Sequence, residues 1–137
     1  MISFTAQKAT SLQMKNIEFT EIRRMYGKMN LPEATILKST KEVRELYRSL
    51  KDVKYSRSTP IPVLESKESI IVLRPRLYQL RYYDIQVEKI SDNGNASIVY
   101  YTEIENWEYV DARQSQPILI IKLTHTPKKI ILKPLKK

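Results

Sequence analysis

A series of short apolar segments, separated by turn-forming residues, constrains the fold of this chain more than any other feature. Two of them, Ser69–Leu73 and 117–124, contain continuous apolar runs, as is typical of well-buried strands. Others alternate apolar and polar residues, as strands do when one face packs on a core and the other meets solvent. Strands are therefore predicted at residues 16–24, 34–38, 69–73, 82–90, 96–104, 117–124 and 129–135.

The spacing of these strands indicates how they are joined. They follow one another too closely for parallel β-α-β units, so an antiparallel meander or sandwich is favoured. Asp92-Asn93-Gly94 predicts a hairpin turn, because Asn and Gly tolerate the positive φ that tight turns need. Tyr26-Gly27 is expected to end the first strand.

One segment has helical rather than strand periodicity. Ser39 followed by Glu42 forms a capping-box pattern, in which each side chain can accept a hydrogen bond from a free amide at the helix start. The apolar residues that then recur at helical spacing on one face are Val43, Leu46, Tyr47 and Leu50. The sequence predicts an amphipathic helix of about three turns, which would cover an open face or end of the sheets.

Chain length and element content together define the predicted fold class. The chain has 137 residues, which suits one domain. We expect a mainly β (α+β) fold, an antiparallel β-sandwich or meander with one amphipathic helix. Residues 1–15 show no sustained period and are interpreted as an N-terminal tail or a weak edge strand, and residues 16–137 as a single β domain.

The composition argues against several kinds of catalytic and metal site. Cysteine is absent, which removes disulfides, thiolate metal sites and cysteine nucleophiles. The two glycines, Gly27 and Gly94, cannot build a phosphate-binding glycine loop. The single histidine, His125, lies in a predicted turn, and no spacing motif gives it a nucleophile or an orienting acid. We therefore predict a protein without metal or cofactor that is not an enzyme.

The charge of the chain is basic. Lys and Arg number 24 against 15 Asp and Glu, a formal net charge of +9. This excess indicates either attraction to an acidic protein, nucleic acid or anionic lipid, or a generally basic solvated surface. No apolar stretch approaches the roughly 20 residues of a membrane-spanning helix, so no membrane-spanning segment is predicted.

Arginines and tyrosines interleave in the segment that follows the strand at 69–73. Cationic groups beside aromatic rings occur at protein-binding hot spots and at single-stranded nucleic-acid platforms. They also occur on edge strands that positive charge protects from aggregation. The predicted partner-binding residues in this segment are Arg74, Arg76, Tyr78, Arg81 and Tyr82.

A second predicted anchor lies in an acidic segment, where Trp107 and Tyr109 offer large amphipathic side chains to a partner. The carboxylates around them are Glu103, Glu105, Glu108 and Asp111. Paired carboxylates can serve glycoside chemistry or bind a hard cation, but nothing in this spacing positions them against a substrate. A solvated strand end or a protein contact site is the preferred interpretation.

The segments also follow a recognisable order along the chain. The features concerned are the segment 17–22 followed by Tyr26-Gly27, the entry Ile36-Leu37-Lys38-Ser39 to the helix, the buried strand before Arg74-Pro75, Tyr83-x-Ile85, Gln116-Pro117 with the strand after it, and the final strand at 129–133. Over roughly residues 16–134 this order resembles the family of the C-terminal domain of PrcB, a bacterial accessory lipoprotein that associates with and stabilises a surface protease. Two features differ, because Leu80-Arg81 stands where the family has paired glycines before tyrosine, and the lipid-anchoring cysteine is absent.

The resemblance implies a non-catalytic protein-binding or accessory module that stabilises or modulates a protease or another envelope protein. A basic nucleic-acid-binding domain is the alternative, since it would also account for the +9 charge and the interleaved Arg and Tyr residues. The expected location is the bacterial envelope or periplasm if a targeting segment has been removed, and otherwise the cytoplasm.

Overall fold

The computed structural model describes residues 14–27, 31–49, 61–75, 84–105 and 116–135. Within these ranges the chain is mainly β with one helix, which confirms the predicted fold class. In chain order the elements are β1 (Lys15–Asn16), β2 (Phe19–Gly27), β3 (Ala34–Leu37), α1 (Thr40–Ser49), β4 (Ser69–Leu73), β5 (Asp84–Asp92), β6 (Ser97–Ile104), β7 (Gln116–Leu123) and β8 (Ile130–Pro134).

The strands form two four-stranded sheets that pack face to face. Sheet 1 has the order β1-β5-β6-β8, and sheet 2 has the order β2-β7-β4-β3. All pairs are antiparallel except β6 with β8, which is parallel. Of the two predicted arrangements, the sandwich is the one observed.

The parallel pair departs from the expectation of a purely antiparallel arrangement. β7 lies in sheet 2, and the chain then crosses to sheet 1, where β8 runs beside β6 in the same direction. A hydrogen bond from Ser97 N to Lys129 O (2.9 Å) marks the start of this pairing. Short strand spacing excludes β-α-β units, but it does not say which sheet a strand joins.

The first predicted strand, at 16–24, is divided between the two sheets. Asn16 belongs to β1 in sheet 1, where Ile17 N also donates to Ile90 O at 2.9 Å. β2 begins at Phe19 in sheet 2 and continues through Tyr26 and Gly27, which pair with Pro117 and Gln116 of β7. β2 does end at Gly27, as expected, but pairing with β7 carries it past residue 24, the predicted bound, so that Tyr26 and Gly27 belong to the strand.

Two apolar clusters lie on opposite faces of sheet 2. The cluster between the sheets contains Ile71, Leu73, Ile85, Ile90, Val99, Tyr101, Leu119, Ile121 and Leu123. The cluster between sheet 2 and the helix contains Leu37, Val43, Leu46, Ile70, Val72, Ile118 and Ile120. Sheet 2 is thus a middle layer, and this explains why all five residues of β4 are buried.

The helix begins as its capping pattern predicts. Glu42 N donates to Ser39 Oγ at 3.2 Å, and Lys38 N donates to Glu42 Oε1 at 3.0 Å. Val43 and Leu46 are buried against sheet 2, and Tyr47 is half-buried beside them. Leu50, the fourth residue of the predicted apolar face, lies outside the described residues.

Candidate binding surface

Most residues of the predicted partner-binding set lie outside the described residues, and their role stays a prediction. These are Arg76, Tyr78, Arg81, Tyr82, Trp107 and Tyr109. Arg74 is described and is half-buried at the end of β4. Its backbone N donates to Glu33 O at 2.7 Å and its Nη1 donates to Leu31 O. Arg74 therefore holds the segment before β3 against the end of β4.

The outer face of sheet 1, opposite the core, carries a cluster of two lysines and a tyrosine. Tyr100 lies on β6, with Lys89 of β5 on one side and Lys133 of β8 on the other. The Lys89 Nζ lies 5.0 Å from the centre of the Tyr100 ring, and the Lys133 Nζ lies 5.7 Å from it. Both distances are those of cation–π contacts. We call Lys89, Tyr100 and Lys133 the Lys–Tyr–Lys surface.

A β-bulge determines which residue of β5 faces Tyr100. The register shifts between Val87, which pairs with Tyr101, and Lys89, which pairs with Tyr100. Without the shift, Glu88 would lie opposite Tyr100. Instead, the Glu88 carboxylate accepts a hydrogen bond from Thr102 Oγ1 at 3.1 Å. The bulge therefore places an ammonium group, rather than a carboxylate, beside the ring.

Apolar and basic side chains extend this surface along β8. Ile131 pairs with Ile98 and is 41% exposed on the same face as Lys133, and Leu135 just beyond the strand is 38% exposed. Lys128 and Lys129 precede the strand and are exposed. Exposed aliphatic groups between lysines make the surface amphipathic, which is the chemistry of a protein contact site with acidic complements.

A buried ion pair joins the two sheets at another corner of the sandwich. Arg24 of β2 contacts Asp84 of β5, with 2.7 Å between Nη1 and Oδ2, and it donates to Ile85 O at 2.6 Å. The Asp84 side chain is 1% exposed. Burial opposes the charge on Arg24, but hydrogen bonds with Glu21 and Asp84 outweigh it and raise its pKa above the ordinary value. This arrangement is structural, because both charges are used in joining the sheets.

The histidine predicted to lie in a turn does so, and it contacts the β5–β6 hairpin. His125 Nε2 lies 2.9 Å from Asp92 Oδ2. The same carboxylate accepts from Ser97 Oγ at 2.7 Å and from Gly94 N at 2.6 Å, and Gly94 has the positive φ (93°) predicted for the turn. Burial alone would raise the pKa of Asp92, but these hydrogen bonds outweigh it and lower the pKa. Since Ser97 donates to Asp92 and not to His125, the three do not form a nucleophile–base–acid relay.

A shallow groove of about 510 Å³ lies at one end of sheet 2. It is lined by Ile17, Glu18, Phe19, Thr20, Glu68, Lys122, Leu123 and Thr124. Lys122 Nζ and Glu68 Oε1 are 3.3 Å apart in it. A hydrogen bond from the backbone of Glu65 lowers the pKa of Glu68, with a further contribution from Lys122. Glu18 also lines the groove, which therefore has two carboxylates against one ammonium group.

Two other kinds of site are absent from the described ranges. No group of three or more His, Asp or Glu side chains there is arranged to hold a metal ion. None of the helical segments described is long and apolar enough to cross a membrane.

Among the described residues, fold and surface together define a class of protein: a two-sheet sandwich in which a helix covers one sheet and the outer face of the other is uncovered, basic and partly apolar. Comparison with family models, curated proteins and solved structures gives no match to this chain. The resemblance to the PrcB C-terminal domain family therefore stays a prediction from segment order.

Sequence reasoning did not find the Lys–Tyr–Lys surface. The alternation of residues 96–104 in the sequence predicts that Tyr100 shares a face with Ile98 and Thr102, and the structure confirms this. Lys133 is far from Tyr100 in the sequence, and Lys89 lies opposite Tyr100 only because of the bulge in β5. Only the strand register brings the three together.

Proposed function

We propose that this protein is a non-catalytic binding module that holds an acidic protein partner on the outer face of sheet 1. The observation that carries the proposal is the Lys–Tyr–Lys surface, in which two ammonium groups lie 5.0 and 5.7 Å from the centre of one tyrosine ring. The face is open in the described part of the chain, because neither sheet 2 nor the helix covers it.

The lysines of this surface are available to a partner's carboxylates. Among the described residues, neither Lys89 nor Lys133 forms a salt bridge. The aromatic ring holds both ammonium groups near one position, which lowers the entropy that a partner's carboxylate would have to overcome. Tyrosine itself is a frequent hot-spot residue, since it buries a large area with little loss of side-chain freedom.

Exposed aliphatic side chains supply the apolar contribution to binding. Burying apolar surface contributes about 25 cal/mol per Å², and Ile131 and Leu135 present such surface beside Lys133. Lysines around an apolar centre would steer an acidic partner and fix its orientation more than they would add affinity.

The class of partner is taken from the resemblance in segment order. A protease or another envelope protein is the proposed partner, and the protein would act as its accessory subunit. The predicted residues Arg76, Tyr78, Arg81, Tyr82, Trp107 and Tyr109 would contribute further contacts, together with Arg74.

Nucleic acid is the second candidate, favoured by the +9 charge and by an aromatic ring among lysines. A base would have to stack on Tyr100. Because lysine ammonium groups already lie over that ring, less of its surface is open to a base. Protein carboxylates, which bind the ammonium groups themselves, suit the arrangement better.

The test compares partner binding by two double variants with the same net charge. Lys89→Met with Lys133→Met removes the two charges of the surface and keeps much of the aliphatic stems. Lys38→Met with Lys41→Met is the matched control, since these exposed lysines lie at the helix start on the far side of sheet 2. Tagged proteins are incubated with native lysate and nuclease, and the retained proteins are quantified by mass spectrometry.

We expect the surface variant to retain at least about tenfold less of one acidic protein, equivalent to about 1.4 kcal/mol of binding free energy, while the control retains it fully. Equal retention by both variants would overturn the proposal. Binding that nuclease abolishes, and that falls steeply as salt is raised, would favour the nucleic-acid candidate instead.

A further inference from the structure

The outer edge of β8 has backbone groups that no described strand uses. β8 is the last strand of sheet 1 and pairs with β6. Two hydrogen bonds show which residues face β6: Ser97 N donates to Lys129 O at 2.9 Å, and Leu135 N donates to Tyr101 O at 2.7 Å. In a parallel pair, alternate residues direct both backbone groups to the neighbour. Residues 129, 131, 133 and 135 therefore face β6, and Ile130, Leu132 and Pro134 face outward.

The residues on this edge have the pattern of an edge strand that accepts another strand only selectively. Pro134 has no backbone N–H. Because its position faces outward, the pairing of β8 with β6 loses no hydrogen bond. Lys128, Lys129 and Lys133 surround the edge, and residues 124–135 contain no Asp or Glu. Lysine and proline on an edge disfavour pairing with a second copy of the same strand, since like charges would meet. The same lysines would attract an extended acidic segment.

We infer that the edge of β8 binds an extended, acidic segment of a partner protein by strand addition, with hydrogen bonds to the backbone of Ile130 and Leu132. Carboxylates of the added strand would lie on the outer face beside Lys133, and its alternate, apolar side chains would lie on the opposite face, where Ile130 and Leu132 pack on the core. This inference rests on the proposed function and specifies how the acidic partner is held. Backbone pairing would supply affinity, and the lysines would select acidic sequences.

The experiment measures amide hydrogen exchange by NMR, with and without a peptide of about seven alternating glutamate and valine residues. The amides of Ile130 and Leu132 face outward, and those of Ile131 and Lys133 already face β6. With saturating peptide, we expect exchange at Ile130 and Leu132 to slow by about tenfold or more and exchange at Ile131 and Lys133 to change little. These two serve as internal controls in the unmodified chain.

Two further peptides separate the contributions. A peptide with glutamine in place of glutamate keeps the backbone and loses the charge, and we expect it to bind at least about tenfold more weakly. A peptide methylated at every backbone nitrogen keeps the charge, but its methyl groups remove its donors and keep its carbonyls from approaching the edge of β8. We expect it not to slow exchange at Ile130 and Leu132.

The outcomes distinguish this inference from the proposed function. If the methylated and unmodified peptides bind equally, and the Lys89→Met/Lys133→Met variant binds neither, strand addition is overturned while the acidic-partner proposal stands. If the acidic peptide protects no outward amide while the protein still retains its partner, the inference is again overturned. Dimerisation of the chain that protects the same amides would show a second copy as the occupant and would also overturn it.

Discussion

The two sheets differ in what covers them. Sheet 2 is buried on both faces, by the helix on one side and by sheet 1 on the other. Sheet 1 buries one face against the same core, and its other face carries the Lys–Tyr–Lys surface and the exposed side chains of Ile131 and Leu135. Among the described residues, sheet 1 is therefore covered on one face only, which makes its other face the candidate for binding. Sheet 2 lies behind it.

This difference is already visible in the side chains of the strands. β4 and β7 are almost continuously apolar because both of their faces meet other layers. β6 alternates, with Val99 and Tyr101 turned to the core and Ile98 and Tyr100 turned away from it. A sheet that must stay open on one side keeps polar and charged residues there, and these are available for recognition.

The largest expected effect tests whether the two sheets differ as described. Ile120→Ala removes a fully buried side chain between sheet 2 and the helix and should lower the free energy of unfolding by about 3–4 kcal/mol. Ile131→Ala, on the open face of sheet 1, should lower it by less than about 1 kcal/mol. Urea unfolding of both variants measures the difference. Equal losses would mean that the outer face of sheet 1 is covered.

The next effect concerns the joint between the sheets. Arg24→Ala removes the cation beside the buried carboxylate of Asp84 and should cost about 3 kcal/mol, since a buried charge loses a partner. Arg44→Ala is the control, since it removes an exposed arginine of α1 and should cost less than about 1 kcal/mol. Similar costs for both would show that the ion pair does not join the sheets.

A third prediction concerns the end of sheet 1 and its response to acid. Asp92→Asn should cost about 2 kcal/mol at pH 7, because three donors bind this carboxylate. The pKa of Asp92 is lowered on folding, so its stabilisation is present above the ordinary value of 3.8 and is lost as pH falls through the folded pKa. Urea unfolding at pH 7, 5, 4 and 3 should show the difference between wild type and variant shrinking below pH 4. A difference that stays constant to pH 3 would contradict the assignment of this stabilisation to the Asp92 carboxylate. The titratable side chain that faces this carboxylate is His125.

The smallest effect concerns the helix that covers sheet 2. Ser39→Ala removes the acceptor for Glu42 N and should cost about 1 kcal/mol in thermal or urea unfolding. Ser39→Asp keeps an acceptor at the cap and should leave stability nearly unchanged. If the aspartate variant lost as much as the alanine variant, a contact other than the cap would be responsible.

The sequence predicts those parts of the fold that depend on local pattern. The cap at Ser39, the buried strand Ser69–Leu73 and the turn at Gly94 follow from residues close together in the chain, and the structure confirms all three. The parallel pairing of β8 and the division of the first strand between two sheets depend on tertiary packing. No local pattern could have predicted them.

The candidate site depends even more on long-range pairing. Lys89, Tyr100 and Lys133 are brought together by register alone, and Arg24 meets Asp84 only because β2 packs against the start of β5 in the other sheet. By contrast, the partner-binding role of Arg76, Tyr78 and Trp107 is predicted from residue type within short segments. They lie outside the described residues, so they remain predictions.

The bulge in β5 has a consequence for how this surface could change by insertion or deletion. In a regular strand, the side-chain pattern of the sequence fixes the charge pattern on each face. Here one extra residue, Glu88, interrupts the alternation of side chains in β5. Deleting it would leave Lys89 opposite Tyr100 in an unbulged ladder. An insertion that the sheet does not absorb as a bulge would instead move every later side chain of β5 to the other face. The bulge thus allows β5 to carry one additional residue without changing the ammonium group opposite the tyrosine.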